Sequence, residues 1–268
     1  MTESIVYDSS PKDERERGLD ALAKYFAAAR KIVFLTGAGV STESGIPDFR
    51  STTGIYSVTS EEIFSIEFFH ENPERFYSFF AAFYRGITDA RPNAGHLAIA
   101  ELERRCGKSV EVVTQNIDGL HGLAGSTKVH EIHGTLRSAT CTTCDRRYEE
   151  SFFSNDMLAG RVPRCECGGV LKPDVVFYGE ELPAAAFNAS RRAMWETKLL
   201  VVAGTSLQVY PAAGLPRECD AGAPFVVVNK TETPLDYQAS LVFRAAIGDV
   251  LPQAVARVPS GASEGSGA

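Results

Sequence analysis

Four short, nearly unbroken apolar runs constrain this chain more than anything else in it. They are Lys31–Thr36 (KIVFLT), Val110–Thr114 (VEVVT), Leu199–Ala203 (LLVVA) and Phe225–Asn229 (FVVVN). A strand that is apolar at successive positions has both faces covered, the pattern of a parallel sheet sandwiched between helices. A helical stretch, Leu19–Arg30, whose Leu19, Leu22, Tyr25 and Phe26 share one face, runs into the first, and others, including Ala94–Arg105 and Ala184–Thr197, lie between the runs. Strands separated by helices imply an α/β fold with a doubly wound parallel sheet. Ligands of such sheets bind beyond the carboxyl ends of the strands, so the residues directly after each run are where chemistry is expected.

Two segments break the alternation. Phe64–Tyr84 is crowded with aromatics (Phe64, Phe68, Phe69, Phe76, Tyr77, Phe79, Phe80, Phe83, Tyr84), and Cys141–Pro173 carries four of the six cysteines. Both read as insertions that build a smaller second domain, most of the aromatics recurring at helical spacing as the core of a helical module. The 268 residues suffice for one or two domains, and 44% hydrophobic with 23% charged residues rules out disorder throughout. Acidic residues outnumber basic ones 34 to 27, a net charge of -7, and no basic stripe is present, which argues against a binder of phosphate backbones. No run approaches the roughly 18 apolar residues a membrane helix needs. The opening MTESIVYDSSPKDERERG lacks the apolar centre of a secretory signal, so a cytoplasmic protein is expected, and the closing VPSGASEGSGA reads as a flexible tail.

The cysteines carry a sharper message. Cys141-Thr-Thr-Cys144 is followed, after twenty residues, by Cys165-Glu-Cys167-Gly168-Gly169. Two thiolate pairs at ribbon spacing can complete a tetrahedral zinc site, and the metal organises a segment too poor in apolar residues to fold alone. The second pair has one intervening residue instead of the usual two; the following glycines give the turn freedom to tighten. Four sulfur ligands leave no position for an activated water, so the zinc is expected to be structural. Cys106 and Cys219 stand apart as reduced thiols.

Strand KIVFLT opens into Gly37-Ala38-Gly39-Val40-Ser41-Thr42. Glycines at a strand-to-helix turn let a pyrophosphate approach backbone amides, although Thr42 stands where the full dinucleotide fingerprint has glycine. By itself this is also compatible with a plain tight turn. The continuation Ser44-Gly45-Ile46-Pro47-Asp48-Phe49-Arg50 sets an acid, an aromatic and a base after a proline-stiffened bend. The whole run GAGVSTESGIPDFR resembles the signature of the sirtuins, NAD-dependent protein deacylases. Further blocks follow in the family's order: Thr114-Gln115-Asn116-Ile117-Asp118 with Leu120 and His121, His133-Gly134, the four cysteines, Pro173-Asp174-Val175-Val176-Phe177-Tyr178-Gly179-Glu180, Gly204-Thr205-Ser206-Leu207, and Val228-Asn229.

The resemblance covers roughly residues 20 to 250 and implies a Rossmann-like parallel sheet with a smaller domain made of a helical module and a zinc ribbon. The boundaries it suggests are 1–46, 93–135 and 174–250 for the NAD-binding domain, 47–92 and 136–173 for the small domain, and 251–268 for a mostly flexible tail. It implies that NAD is consumed as a cosubstrate, without hydride transfer. The acyl oxygen of a modified lysine displaces nicotinamide from the ribose, and His133 then deprotonates a ribose hydroxyl. Imidazole suits that task because it titrates near neutrality. His70, His96, His121 and His130 are read instead as satisfied polar groups.

By the same resemblance, the catalytic set is His133, Asn116, Phe49 and Asp118. Gln115 and Asn116 belong near the ribose, and Ile117 and Asp118 at the nicotinamide pocket. Phe49 shields the reacting carbon and Arg50 contacts phosphate or fixes the loop. Gly37, Ala38, Gly39, Ser41, Thr42, Asp48, Gly204, Thr205, Ser206, Asn229, Asp249 and Val250 complete the cofactor site. Asn116 and Asp118 could equally cap a helix before LHGLAG. An extended acylated-lysine peptide is expected to pair with Val176, Phe177, Tyr178, Gly179 and Glu180, its acyl chain lined by Phe49, Phe64, Val176, Tyr178 and Val209.

Two departures bear on the substrate. Relatives mostly carry Phe where Tyr178 stands, and a phenol there needs a hydrogen-bond partner. Relatives that prefer acidic acyl groups carry Tyr-x-x-Arg; here Tyr77 is followed by Phe80 in the arginine position, so acetyl or longer apolar acyl groups are expected over succinyl. Mono-ADP-ribosyl transfer, or an NAD-sensing module without chemistry, are the rival readings. A hydride-transferring dehydrogenase is disfavoured by the truncated glycine fingerprint and the ribbon.

Overall fold

The computed structural model describes residues 5–7 and 12–260. Seven parallel strands form the main sheet, in the order β1 (Ile5–Tyr7), β10 (Leu241–Phe243), β9 (Phe225–Val228), β8 (Leu200–Ala203), β2 (Lys31–Thr36), β3 (Ser109–Thr114), β4 (Val129–Glu131). The apolar runs lie at its centre, and their unbroken character is explained by burial on both faces. In β2, Ile32 and Phe34 join one hydrophobic cluster while Val33 and Leu35 join another; in β8, Val201 and Ala203 oppose Leu200 and Val202 in the same way. Each of the larger side chains among these contributes roughly 1.5–3 kcal/mol by leaving water.

The first cluster is covered by α1 (Lys12–Ala28), α4 (Ala94–Arg104) and α8 (Ile247–Ala256), the second by α7 (Ala184–Glu196) and the short helical segment Ala212–Glu218. The chain steps from β2 to β3 in one direction and from β8 to β9 in the other. The strand order therefore reverses beside β2, the point where an open sheet leaves a crevice at its carboxyl edge.

Above that edge sits a second unit. A three-stranded antiparallel sheet, β6 (Arg147–Glu149), β5 (Gly134–Cys141) and β7 (Leu171–Val175), packs with α2 (Ile66–Glu71), α3 (Pro73–Asp89) and α6 (Glu150–Leu158). Helix α3 begins with Pro73, whose missing N–H costs nothing in a first turn, and buries Phe76, Tyr77, Phe80, Tyr84 and Ile87 along one face. Ile46, Leu120, Val175 and Phe177, which the sequence reading put outside the small domain, also pack into this cluster.

The tail reading needs correction. Residues 251–258 are not flexible: α8 runs to Ala256, and Leu251, Ala254, Val255 and Val258 are buried against α1 and α4. Arg105 seals the end by donating from Nη2 to the Val255 carbonyl at 2.8 Å. Residues 261–268 of the expected tail lie outside the described residues, as do residues 1–4 and 8–11 of the polar opening. No helix among the described residues is long and apolar enough to cross a membrane.

Candidate active site

A cavity of about 720 Å³ opens between the two units, at the carboxyl edge of the sheet. Its floor begins with the glycine loop. The sequence reading expected a helix N-terminus here; instead the chain makes two single 3-10 turns, Ala38–Val40 and Thr42–Ser44, closed by Gly45 at φ +86°. The glycines are required for close approach of two backbones. A Cβ on Gly39 would sit 2.8 Å from the Gly204 carbonyl oxygen, and the Gly39 N–H donates to that oxygen at 2.8 Å. The Asn93 side chain, which also caps α4, ties the loop down by donating to the Val40 carbonyl at 2.7 Å and to Ser44 Oγ at 3.0 Å.

Gln115, Asn116, Ile117 and Asp118 leave β3 directly into the cavity. Asn116 directs Nδ2 to the Gly37 carbonyl and to Ser41 Oγ, both at 3.1 Å. A carbonyl oxygen only accepts, so the amide orientation is fixed and Oδ1 is left without a partner among the described residues. Gln115 donates from Nε2 to Thr205 Oγ1 at 2.9 Å, joining the floor to the loop after β8. Asp118 accepts from Ser41 Oγ at 2.6 Å and from the N–H of Leu120 at 2.9 Å, the first residue of the short helix α5 (Leu120–Leu123), whose N-cap position is Gly119, and it faces the cavity. Burial raises the Asp118 pKa, and these two hydrogen bonds oppose the rise.

His133 precedes β5. Its Nδ1 lies 3.0 Å from the Gln115 carbonyl oxygen. Because that oxygen can only accept, Nδ1 carries the proton and Nε2 keeps its lone pair. Burial lowers the His133 pKa, the Gln115 carbonyl partly offsetting it, so the ring is neutral at neutral pH. Gly134 follows at φ +81°, where a Cβ would lie 2.0 Å from the Asp174 carbonyl oxygen; only glycine lets β5 meet β7 here. None of the other four histidines lines the cavity. His96 and His121 are buried edge to face with ring centroids 4.7 Å apart, His130 pairs with Glu111 at 2.9 Å, and His70 is exposed.

Phe49, Phe64, Val176, Phe177, Tyr178, Gly179, Glu180 and Val209 line the opposite wall and mouth. Phe177 is 3% exposed, its ring packed 5.4 Å from Phe69 and 5.2 Å from Phe76, so its contribution to the wall is mainly as a support. Phe49 sits among Tyr56 (5.5 Å between centroids), Phe64 (5.9 Å) and Phe83 (6.3 Å). The partner required by the Tyr178 phenol is present twice: Tyr56 Oη at 2.9 Å and Arg50 Nη2 at 3.2 Å. Gly37, Ala38, Gly39, Ser41, Thr42, Asp48, Arg50, Gly204, Thr205, Ser206 and Asn229 all line the cavity as expected.

Asp249 and Val250 do not. Helix α8 starts at Ile247, so one turn in, Val250 is fully buried in the sheet's hydrophobic cluster and the Asp249 side chain is exposed. Ala245, Ala246 and Ile247 take that place in the wall. The sequence reading also missed Tyr56, Phe83 and Lys230 as wall residues. Tyr56 lies six residues beyond Arg50 in the same loop, and its proximity to the motif was the only available signal.

The four cysteines form a separate site, away from the cavity. Their Sγ atoms all lie within 4.8 Å of one another, with Cys141–Cys167 at 3.6 Å and Cys144–Cys165 and Cys144–Cys167 at 3.5 Å. Zinc–sulfur bonds of about 2.3 Å span a tetrahedron with edges of about 3.8 Å, so the donors fit zinc, whereas a disulfide would bring two sulfurs to about 2.05 Å. The one-residue gap closes as a tight knuckle: the Cys167 N–H donates to Cys165 Sγ at 3.5 Å, mirrored by Thr143 N–H to Cys141 Sγ at 3.4 Å. A Cβ on Gly169 would fall 2.7 Å from Cys141 Sγ, which explains the glycine pair. Tyr148 Oη lies 3.1 Å from Cys165 Sγ.

The Sir2 family model matches residues 37–211. An NAD-dependent protein deacetylase of Sulfolobus acidocaldarius is 40% identical over 241 residues, covering 89% of this chain and 94% of that protein. One from Bacillus cereus is 43% identical over 227 residues, covering 82% and 90%. Among solved structures, a Sir2 enzyme superimposes with a TM-score of 0.85 at 38% identity, covering 90% of this chain and 98% of that one. A Sir2 complex with a p53 peptide and NAD+ gives 0.79 at 37% identity, covering 87% and 95%.

Proposed function

Because the chain belongs to the Sir2 family, we propose that it is an NAD-dependent protein-lysine deacetylase, releasing nicotinamide, O-acetyl-ADP-ribose and free lysine. The observation that carries the reading is the placement of His133: its Nδ1 lies 3.0 Å from the Gln115 carbonyl, which holds the proton there, and its Nε2, without a partner among the described residues, stands in a cavity framed by the Asn116 amide and the Asp118 carboxylate. NAD, when bound, supplies a ribose carbon with nicotinamide as leaving group. The protein's part is then general-base and positional. Nε2 of His133 takes a proton from a ribose hydroxyl. The Asn116 amide, pinned on its nitrogen side, offers Oδ1 to a hydroxyl or an ordered water, and Asp118 offers carboxylate oxygens to a carboxamide. Phe49, walled by aromatic rings, keeps water from an electron-deficient carbon. Zinc, held by Cys141, Cys144, Cys165 and Cys167, braces the small unit and takes no part in the chemistry.

An acylated lysine enters along Val176–Glu180, where backbone pairing reads little sequence. The preference for acetyl or apolar acyl groups over succinyl gains support from the wall. Phe80 stacks on Phe76 with centroids 5.0 Å apart, and the Tyr77 hydroxyl is committed to the Leu171 carbonyl, so neither offers a carboxylate a partner. We keep the discontinuous division at 46/47, 92/93, 135/136 and 173/174, with the NAD-binding domain carried through residue 258 by α8. Free thiols at Cys106 and Cys219 suit a reducing, cytoplasmic setting.

The test is to incubate the protein with NAD and a panel of acyl-lysine peptides, following nicotinamide and O-acyl-ADP-ribose together. Equal release of both, dependent on the acylated peptide, is expected. Nicotinamide release that needs no acylated peptide and labels protein with ADP-ribose would establish the transferase reading in its place.

A further inference from the structure

The loop bearing Phe49 is closed on itself. The Ile55 N–H donates to the Asp48 carbonyl at 2.8 Å and the Tyr56 N–H to the Phe49 carbonyl at 2.9 Å, while Asp48 Oδ1 gathers the N–H groups of Arg50 and Ser51 at 3.1 and 2.8 Å. Among the described residues, the only hydrogen bonds from residues 48–58 to the rest of the molecule run to one atom, Tyr178 Oη: from Arg50 Nη2 at 3.2 Å and with Tyr56 Oη at 2.9 Å. Arg50 makes one further polar contact, an exposed ion pair with Glu61 at 3.6 Å, and its guanidinium lies 5.5 Å from the Tyr56 ring centroid. Exposed pairs of this kind hold little.

The anchor itself is rigid. The Tyr178 N–H donates to the Phe64 carbonyl at 2.9 Å, and its carbonyl accepts from the Ile66 N–H at 3.0 Å. Arg50 can only donate, so the Tyr178 oxygen accepts from it, and one of the two phenolic protons closes the link to Tyr56. The ring of Tyr56 in turn lies 5.5 Å from that of Phe49.

We propose that Tyr178 is a positioning residue: its hydroxyl fastens the Phe49 loop to the substrate-pairing segment and, through Tyr56, holds the Phe49 ring in place over the reacting centre. The second half of this rests on the deacetylase reading; the fastening does not. It joins the two walls of the cleft, so the segment that pairs with a peptide and the loop that shields the cofactor's ribose become one body. A phenylalanine at position 178 would keep the wall and lose the fastening.

The tests are Tyr178→Phe, Tyr56→Phe and their combination, each the removal of single oxygen atoms that leaves the aromatic packing intact. Limited trypsin cleavage after Arg50 in the ligand-free protein reads the loop without reference to activity. It should accelerate roughly five- to tenfold in Tyr56→Phe, the yield of about one lost hydrogen bond, more in Tyr178→Phe, which loses both bonds to the loop, and no further in the double variant than in Tyr178→Phe. With NAD and an acetyl-lysine peptide, the ratio of nicotinamide released to lysine freed should rise in the same variants, with a larger change in kcat than in the KM for peptide. Cleavage at the parent rate in both single variants, or additive acceleration in the double, overturns the fastening. Faster cleavage with an unchanged ratio overturns the role through Phe49. A parent protein without NAD-dependent deacylation would sink the functional reading instead, leaving the cleavage result to decide the fastening.

Discussion

Ser41→Ala tests whether the cavity floor is held by the half-buried Asp118 carboxylate. Ser41 Oγ donates to Asp118 Oδ2 at 2.6 Å and accepts from Asn116 Nδ2 at 3.1 Å, so alanine removes the link between two of the proposed working residues. A hydrogen bond to a charged group is worth roughly 1.5–3 kcal/mol, and its loss removes one of the two bonds that oppose the upward shift of the Asp118 pKa. The sign follows from burial. The folded-state pKa of Asp118 already stands above its ordinary value, so the folded form binds its proton more tightly than the unfolded form does. Its ionisation therefore costs stability above that window and costs nothing below the ordinary value. Ser41→Ala deepens the cost at neutral pH and spares the protein in acid. Differential scanning at pH 7 should show a melting temperature lower by roughly 3–12 °C, with the gap to the parent narrowing steadily as pH approaches 4. At pH 7, kcat/KM for NAD should fall by about one to two orders of magnitude as Asn116 loses one of its two tethers. A melting difference that is the same at pH 7 and pH 4 would show that the Ser41 bond does not act on the carboxylate.

Other expectations are more direct. His133→Asn should abolish deacylation while leaving NAD binding within a few-fold by calorimetry, and in the parent the acid limb of kcat/KM should lie below the usual imidazole value, because burial lowers that pKa. Phe49→Ala should raise NAD hydrolysis relative to deacylation; an equal decline of both rates would remove its shielding role. Tyr148→Phe deletes the hydroxyl 3.1 Å from Cys165 Sγ and should speed zinc transfer to a chromophoric chelator roughly 10- to 100-fold, and a rate equal to the parent's would make that contact incidental. His96, pushed down to about 4 by burial beside His121, is buried neutral, so stability should fall as pH drops from 6.5 towards 4, by roughly 3 kcal/mol from His96 alone. His96→Gln should flatten that slope in urea titrations at stepped pH.

What was legible in the sequence and what was not divides along physical lines. A strand such as Lys31–Thr36 reveals itself because burial on two faces leaves no polar residue from Ile32 to Leu35, and the ligands Cys141, Cys144, Cys165 and Cys167 reveal themselves because chelation demands near neighbours in the chain. Gly39 was legible as a turn, but its reason was not: the backbone it meets belongs to Gly204, and no local pattern announces a contact between distant segments. Asp249 and Val250 were misplaced by helix phase. Once α8 begins at Ile247, a step of three residues rotates Val250 into the core formed with α1 and α4, and the same periodicity orders Leu251, Ala254 and Val255, which the boundaries suggested by the resemblance had placed in a tail. Tyr56 shows the limit most sharply. Its place six residues beyond Arg50 is the one local hint, and its meaning depends on Tyr178 standing 2.9 Å away across the cleft. The residue that looked anomalous in the sequence and the residue that looked ordinary are two ends of one hydrogen bond. A substitution at either position should therefore be judged by its effect on the pair, and Tyr178→Phe should erase whatever difference Tyr56→Phe makes.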